Sequence, residues 1–365
     1  MQTQRRHVVA AGLGLASASI LDPSAIAGAL RAAAAPGVPV PSLFDSTRTL
    51  CFGRYALEAP RDTEQVFGEQ TIDAFFERYP ASRYPDAASL LRSKWQEVVR
   101  QARGMPAGLS PGMLGPIVHG PVSGASYLWL YKGRDEYDQR GDCNLYGAIR
   151  VGATVHLFRG VAGASEHIGR EHALRDMTDL MRGMHAWDGR SVPRQPGVCM
   201  RGVFIEEASH RFQEIMSSGF YFPSLPDVSF SVLSNKNASV DGENGSGLLE
   251  RVEQARAEQP SYPYRFLRRG KRTLHHLWDG EEVLARRADG VLEFDWELVG
   301  RPGDPARPSW FEIGLRTGVA HNQVGAASTH SLRDEQAVVL WDRLLENLKF
   351  RVAVPGATAE SVALR

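Results

Sequence analysis

The alternation of apolar and polar positions predicts the same order of elements twice along the chain. The run Cys51-Phe52-Gly53-Arg54-Tyr55-Ala56-Leu57 is strand-like and stops at Pro60, and a second strand is expected over 65–72. Asp86, just after Pro85, is an N-cap for a helix over 87–103, where Leu91, Trp95, Val98 and Val99 recur at helical spacing. Gly104 and Pro106 end that helix, and 108–124, rich in Gly and Pro, reads as a loop. Strands are expected over 126–132, 143–151 and 154–159, with Val151-Gly152-Ala153-Thr154 as a hairpin signal. A helix over 169–185 follows, with Leu174, Met177, Met181 and Met184 as its core stripe.

The segment 189–197, with Pro193 and Pro196, marks a boundary, after which the plan repeats. A strand over 198–206 starts at a cysteine, as the first half did. Another covers 228–234, a polar Gly-rich loop covers 240–246, and a helix covers 248–257. Strands are predicted over 264–267, 272–277, 282–287, 292–299 and 310–316. In Glu293-Phe294-Asp295-Trp296-Glu297-Leu298 the strict alternation gives one wet face and one buried face. Ser331 is the expected cap of a last helix, with Asp334 in the reciprocal position and Ala337, Trp341, Leu344 and Leu348 as its apolar stripe. Runs of strands interrupted by two helices predict the α+β class, as two lobes, each a mostly antiparallel sheet with helices on one face. The domains expected are 47–188 and 197–353, joined by a linker at 189–196 and followed by a tail at 354–365.

Composition keeps this picture globular. The 365 residues are 43% hydrophobic and 23% charged, with 42 basic and 42 acidic side chains. A zero balance gives no reason to expect nucleic acid or an anionic membrane as partner. The N-terminus carries a different message. Arg5 and Arg6 precede an apolar run over 8–21, broken by Asp22 and Pro23 and followed by the small-x-small triplet Ala25-Ile26-Ala27. That layout predicts an export signal over 1–35, twin-arginine-like or general, with 36–46 as a linker. The apolar run falls short of the ~20 residues a membrane span needs. The expected location is therefore the periplasm. Three cysteines, Cys51, Cys143 and Cys199, allow at most one internal disulfide. Cys51 and Cys143 share the first half, but the favoured reading is three small buried hydrophobes.

Searches for chemistry give little. Gly163-Ala164-Ser165-Glu166-His167 lacks the closing glycine of a nucleophile elbow. His167 and His172 are five residues apart and would point about 140° away from each other on a helix. His275 and His276, adjacent in an expected strand, face opposite sides. No catalytic residue, cofactor site or metal site is predicted. Two charged stretches remain. The acidic loop over 133–142 contains Asp135, Glu136, Tyr137 and Asp138, and a basic cluster contains Arg265, Arg268, Arg269, Lys271 and Arg272. A solvated surface is the ordinary reading of both. If the protein has an interface, Asp135, Glu136, Tyr137, Asp138, Arg268 and Arg269 are the partner-binding candidates, because Tyr and Arg on loops dominate interfaces.

Three stretches in order resemble a known family. The opening Cys51-Phe52-Gly53-Arg54-Tyr55 with Pro60 is similar to the N-terminal domain of the type VI secretion lipase-effector immunity proteins. Pro196-Gly197-Val198-Cys199 through Gly202-Val203-Phe204-Ile205 resembles the start of that family's C-terminal domain. Ser331-Leu332, Asp334-Glu335 and Ala337 through Leu340-Trp341-Asp342 to Leu348 resemble its closing helix. The resemblance implies a periplasmic protein, not an enzyme, that grips and inhibits a cognate phospholipase effector of α/β-hydrolase fold and has no cofactor. It carries over no contact residues. A twin-arginine route would mean folding before export in a reducing compartment, which argues against a disulfide. The competing readings are an exported hydrolase and a periplasmic solute-binding protein.

Overall fold

The computed structural model describes residues 39–104, 112–113, 115–131, 142–163, 167–238, 247–259, 264–318 and 332–364. A 3-10 turn (Val40–Phe44) leads into the hairpin β1 (Thr47–Phe52) and β2 (Tyr55–Pro60). Then come β3 (Glu64–Ile72), β4 (Ala74–Pro80) and helix α1 (Ala87–Gln101). The short strands β5 (Gly112–Met113) and β6 (Val118–His119) precede β7 (Ala125–Tyr131), β8 (Asp142–Val151) and β9 (Thr154–Gly163). Helix α2 (His167–Arg182) and β10 (Met184–Ala186) close the first half.

The second half repeats the order. It opens with the hairpin β11 (Gly197–Met200) and β12 (Val203–Glu206), then β13 (Glu214–Phe222), β14 (Leu225–Asn235) and helix α3 (Leu248–Glu258). Strands β15 (Tyr264–Leu274), β16 (Trp278–Arg287), β17 (Leu292–Leu298) and β18 (Trp310–Arg316) follow. Helix α4 (Asp334–Asn347) and β19 (Leu348–Phe350) end it. The fold is α+β, as the sequence predicts, and every named strand pair is antiparallel.

The short closing strands are exchanged between the halves. β19, at the end of the second half, pairs with β2 of the first, and β10, at the end of the first, pairs with β12 of the second. Each opening hairpin is thereby completed by the other half, and its apolar side chains follow. Leu50, Phe52, Tyr55 and Leu57 bury into a core with Phe230, Trp278, Phe311, Trp341 and Phe350 of the second half. Val198, Met200, Val203 and Ile205 bury with Ile72, Leu145, Phe158 and Met181 of the first. A third cluster seats Leu90 and Leu91 of α1 on Leu128, Tyr146 and Leu157. The remaining strands form one sheet in the order β15-β16-β17-β18-β14-β13-β3-β4-β9-β8-β7-β5, with β6 also pairing with β7.

Local features explain where the pattern is read well and where it is not. Asp86 caps α1 as expected, its carboxylate accepting the Ser89 N–H at 2.6 Å. On α1, Leu90 and Leu91 are buried, with Trp95 and Val98 partly covered, whereas Val99 is 42% exposed and lies off the core face. Met177 and Met181 of α2 pack over Gly147, where an added Cβ would come within 2.3 Å of the Met177 sulfur. Met184 has left the helix and starts β10. The expected strand over 198–206 is two strands, broken at the Arg201-Gly202 turn, where Gly202 takes φ of 77°. The two expected strands over 264–277 are largely one, β15, with a bulge between Phe266 and Arg268. Ser331 lies outside the described residues. At the start of α4 the Arg333 N–H donates to the Gln336 side chain at 3.1 Å, and Asp334, instead of capping, pairs with Arg265 and Arg286.

Cysteine pairing departs from the expectation of three separate buried thiols. Cys51 of β1 and Cys199 of β11 form a disulfide, their Cα atoms 5.9 Å apart across 148 residues of sequence. The alternative Cys51–Cys143 pairing is thus excluded. The two opening hairpins lie side by side, with Gly53 and Cys199 exchanging backbone hydrogen bonds of 2.8 Å each way. The bond therefore crosses between equivalent positions of the two halves.

Candidate functional site

Beside that disulfide the β1–β2 turn inserts a charge into the interior. Gly53 adopts φ of 51°, and the next side chain, Arg54, is only 5% exposed. Its Nε donates to both oxygens of Glu214 at 2.9 Å, Nη1 donates to the Glu207 carbonyl at 3.0 Å, and Nη2 reaches both carboxylates. Lys236 completes the set, donating from Nζ to the His210 carbonyl at 2.6 Å, to the Phe212 carbonyl and toward Glu214 at 3.5 Å. Two cations thus face two carboxylates, all buried. Burial works against the Arg54 charge, but Glu214 and Glu207 outweigh it and raise its pKa. Glu207 loses solvation too, yet the Ser209 hydroxyl and Arg54 hold its carboxyl below the usual range. The arrangement is saturated and sealed, so it ties the two hairpins to β13 and β14 and offers no reactive group.

A second buried arginine locks the junction. Arg351 Nη2 donates to the Gly197 carbonyl at 2.9 Å, Nη1 donates to the Pro193 carbonyl, and the guanidinium lies 5.0 Å over the Phe204 ring. Burial and then repulsion from Arg54 lower its pKa to about 10, so it remains a cation at neutral pH.

The predicted interface residues divide. Asp135, Glu136, Tyr137 and Asp138 lie outside the described residues. Arg268 and Arg269 lie on β15, at one end of the large sheet. Arg268 is not free for a partner. Its Nε donates to Glu282 at 2.5 Å and its Nη2 to Asp342 at 2.5 Å. Arg272 bridges the same two carboxylates at 2.6 Å each, and the Trp341 indole donates to Glu282 at 3.0 Å. Hydrogen bonding to Asp342 and then Glu282, which outweigh burial, raises the Arg268 pKa further. This network clamps α4 onto the sheet. Arg269 is more exposed, pairing with Glu253 of α3 and lying 4.9 Å over Phe266.

Two surface depressions flank this end. A groove of about 400 Å3 runs between the 3-10 turn and α4, lined by Val40, Phe44, Val339, Asp342, Arg343 and Glu346. Another of about 430 Å3 lies at Asp279, Val299, Arg301, Asp304 and Arg307. Among the described residues no three His, Cys, Asp or Glu side chains are grouped so as to hold a metal ion.

Among the described residues of the first half, His156 of β9 is the fully buried histidine. Thr154 Oγ1 lies 2.8 Å from its Nε2, Phe76 stacks on its ring at 5.2 Å between centroids, and Nδ1 has no partner. Burial, and then the nearby Arg78 charge, push its pKa down to about 4. The unfolded imidazole binds a proton below about pH 6.5, and the folded one does not until about pH 4. The unfolded state therefore holds more protons across that window, and stability falls as pH falls through it, by on the order of 3 kcal/mol in total. Urea unfolding at pH 7 and pH 4.5 should show His156→Phe losing less stability than the wild type. Equal losses would contradict a buried neutral imidazole.

Known structures share this fold. The chain has the fold of immunity proteins of the type VI secretion system (T6SS). The apo structure of the T6SS immunity protein TplEi from Pseudomonas aeruginosa matches over 84% of this chain and 99% of its own, at 20% identity and a TM-score of 0.64. The same protein complexed with an "L" peptide matches over the same shares at 23% identity and a TM-score of 0.59. The structure of the Tle4-Tli4 complex matches over 84% of this chain and 97% of that one, at 22% identity and a TM-score of 0.64. Residues 191–353 match the family model of the Tle cognate immunity protein 4 C-terminal domain. No curated protein matches the sequence.

Proposed function

We propose that this protein is a periplasmic immunity protein that binds a cognate type VI secretion phospholipase effector of α/β-hydrolase fold and blocks it stoichiometrically, protecting the cell that produces both. The observation that carries the reading is the domain match over 191–353, set in a fold shared with T6SS immunity proteins over 84% of the chain. Among those relatives, one is solved as a Tle4-Tli4 complex and one with a peptide bound. The described charged clusters bind within the fold, which suits a rigid binder better than a catalyst. The Cys51–Cys199 bond belongs to an oxidising compartment and supports the periplasm, as does the N-terminal export pattern. In this reading 47–188 and 197–353 act as two lobes presenting one surface to the effector. A solute-binding protein would normally be built on parallel strands, whereas the named pairs here are antiparallel.

The test is co-purification of residues 47–365 with the co-encoded phospholipase, followed by titration of its activity. Activity should fall to background at about one equivalent, as expected of a tight standard-size interface. Full activity at a large excess would overturn the reading.

A further inference from the structure

In the second half α3 covers only one end of the large sheet. Its Leu248, Leu249 and Val252 pack on Val283 and Ala285 of β16 and on Tyr264 and Phe266 of β15, on the side away from the main core. On that same side β14, β13 and β3 are left without an apolar cover among the described residues. Phe220, Phe222, Phe230 and Val232 point into the core, and the residues between them point out. Tyr221 and Leu233 are partly exposed, Ser231 is exposed, and Val66 of β3 is 48% exposed.

Register gathers these outward residues into rows across the strands. Val66, Gly219, Ser231, Gly314 and Asp295 stand opposite one another on β3, β13, β14, β18 and β17. The row on one side holds Tyr221, with Glu64 on β3 and Arg316 on β18. The row on the other side holds Leu233 and Glu312. The middle row is low, since a Cβ built on Gly219 would meet nothing closer than the Val66 carbonyl at 3.9 Å. Five strands at ~4.8 Å spacing make this a trough about 20 Å long. Its walls are Tyr221 and Leu233, held on a rigid sheet, and aromatic residues so placed are the usual anchors of an interface.

The charge of this face is one-sided. Its cations are already committed, Arg316 to Asp295 at 2.6 Å and Arg251 of α3 to Glu297 at 2.6 Å. Glu312 accepts from the Trp310 indole at 3.4 Å, and neither it nor the exposed Glu64 has a cation partner among the described residues. Burial foremost, and then the Glu312 and Asp295 charges, raise the Glu297 pKa against the pull of Arg251. The exposed Glu69 of β3 adds to the same sign at the margin. An anionic surface would be repelled here, and a second copy of the chain would set like charges against each other. A basic partner meets neither cost.

We propose that this open face receives the effector, and that a basic segment of the effector lies in the trough, its apolar part against Tyr221 and Leu233 and an Arg or Lys side chain against Glu312. The inference rests on reading the protein as an effector-binding immunity protein, and it names where and by what chemistry the partner is held.

Two substitutions at one position test it, with binding of the full chain to the co-encoded effector as the readout. Ser231 is exposed and its hydroxyl makes no described hydrogen bond, so both Ser231→Arg and Ser231→Glu are expected to keep the fold, as urea unfolding would check. Ser231→Arg fills the trough with the effector's own charge and should weaken binding at least about ten-fold. Ser231→Glu fills it with the opposite charge and should weaken binding at least about three-fold less than Ser231→Arg. If Ser231→Arg binds as tightly as wild type, or if Ser231→Glu is as damaging as Ser231→Arg, this proposal fails and the immunity reading stands. Should a Ser231 variant unfold, Glu64→Lys at the exposed margin decides in its place. It should slow association about three-fold, and an unchanged rate overturns the proposal. If no complex forms with wild type, both readings fail.

Discussion

Replacing Cys199 with serine is expected to lower the unfolding free energy by about 5 kcal/mol, the chain-entropy value for a closed loop of this length. The bond spans 148 residues, so in the unfolded chain it restricts an unusually large loop. Its native environment adds to the effect. Both sulfurs are fully buried beside Trp187 and Phe204, and a serine hydroxyl there would face apolar rings without a partner. Urea unfolding of wild type with and without dithiothreitol, and of Cys51→Ser, Cys199→Ser and the double variant, would measure this. All three variants should ignore the reductant and be somewhat less stable than reduced wild type, because serine carries the buried-hydroxyl penalty that a thiol does not. A loss under about 1 kcal/mol would mean that the hydrogen bonds between Gly53 and Cys199, and not the covalent link, hold the hairpins together. The result also bears on export. Under the proposed periplasmic reading, a protein that needs this bond gains it only after reaching an oxidising compartment, which favours crossing the membrane unfolded over a folded twin-arginine route.

The sequence held a clue to this bond that pattern reading did not use. Both halves open with a strand containing cysteine, and a repeated plan suggests that Cys51 and Cys199 occupy equivalent places. Proximity along the chain favours Cys51 with Cys143 instead. Only the exchange of β10 and β19 shows that the two hairpins meet, and such an exchange is a long-range event that local periodicity does not encode. Elements with strong local signals were legible: the Asp86 cap of α1, the apolar face of β17 and the stripe Ala337, Trp341 and Leu344 of α4, whereas the charged face of β17, expected to be wet, is largely covered, with Glu297 buried against Arg251 and Asp295 paired with Arg316. β13 was not legible, although its burial alternates along its full length, because Ser217-Ser218-Gly219 at its centre and the buried Glu214 at its start mask the apolar period. β4 was missed because the chain turns only at Asp73, in a conformation non-glycine residues seldom adopt. The basic cluster was legible as charge but not as structure. Nothing local to Arg268 shows that Asp342, 74 residues later, will lie beside it.

The strongest example of this hidden information is Arg54, which reads as a residue within one strand, 51–57, yet sits in the turn between β1 and β2 and anchors a buried network. Arg54→Met keeps much of the volume and removes the charge, so it should destabilise the protein by about 3–5 kcal/mol, the cost of breaking a buried ion pair from one side. The sign of its pH dependence separates this cause from lost packing. In the wild type, Arg54 helps hold the Glu207 carboxyl below its ordinary range. That contribution is present above the unfolded carboxylate pKa, near 4.3, and is lost as pH falls through the folded value. In Arg54→Met two carboxylates share one cation, Lys236, and one of them is better off protonated. A carboxyl with a raised folded pKa loses stability as pH rises, so the deficit of Arg54→Met against wild type should be larger at pH 8 than at pH 5. Arg54→Met combined with Glu207→Gln restores neutrality and should recover part of the loss, most clearly at pH 8. Urea unfolding of the three proteins at both pH values decides it. A deficit independent of pH, with no recovery in the double variant, would assign the role of Arg54 to shape and not to charge.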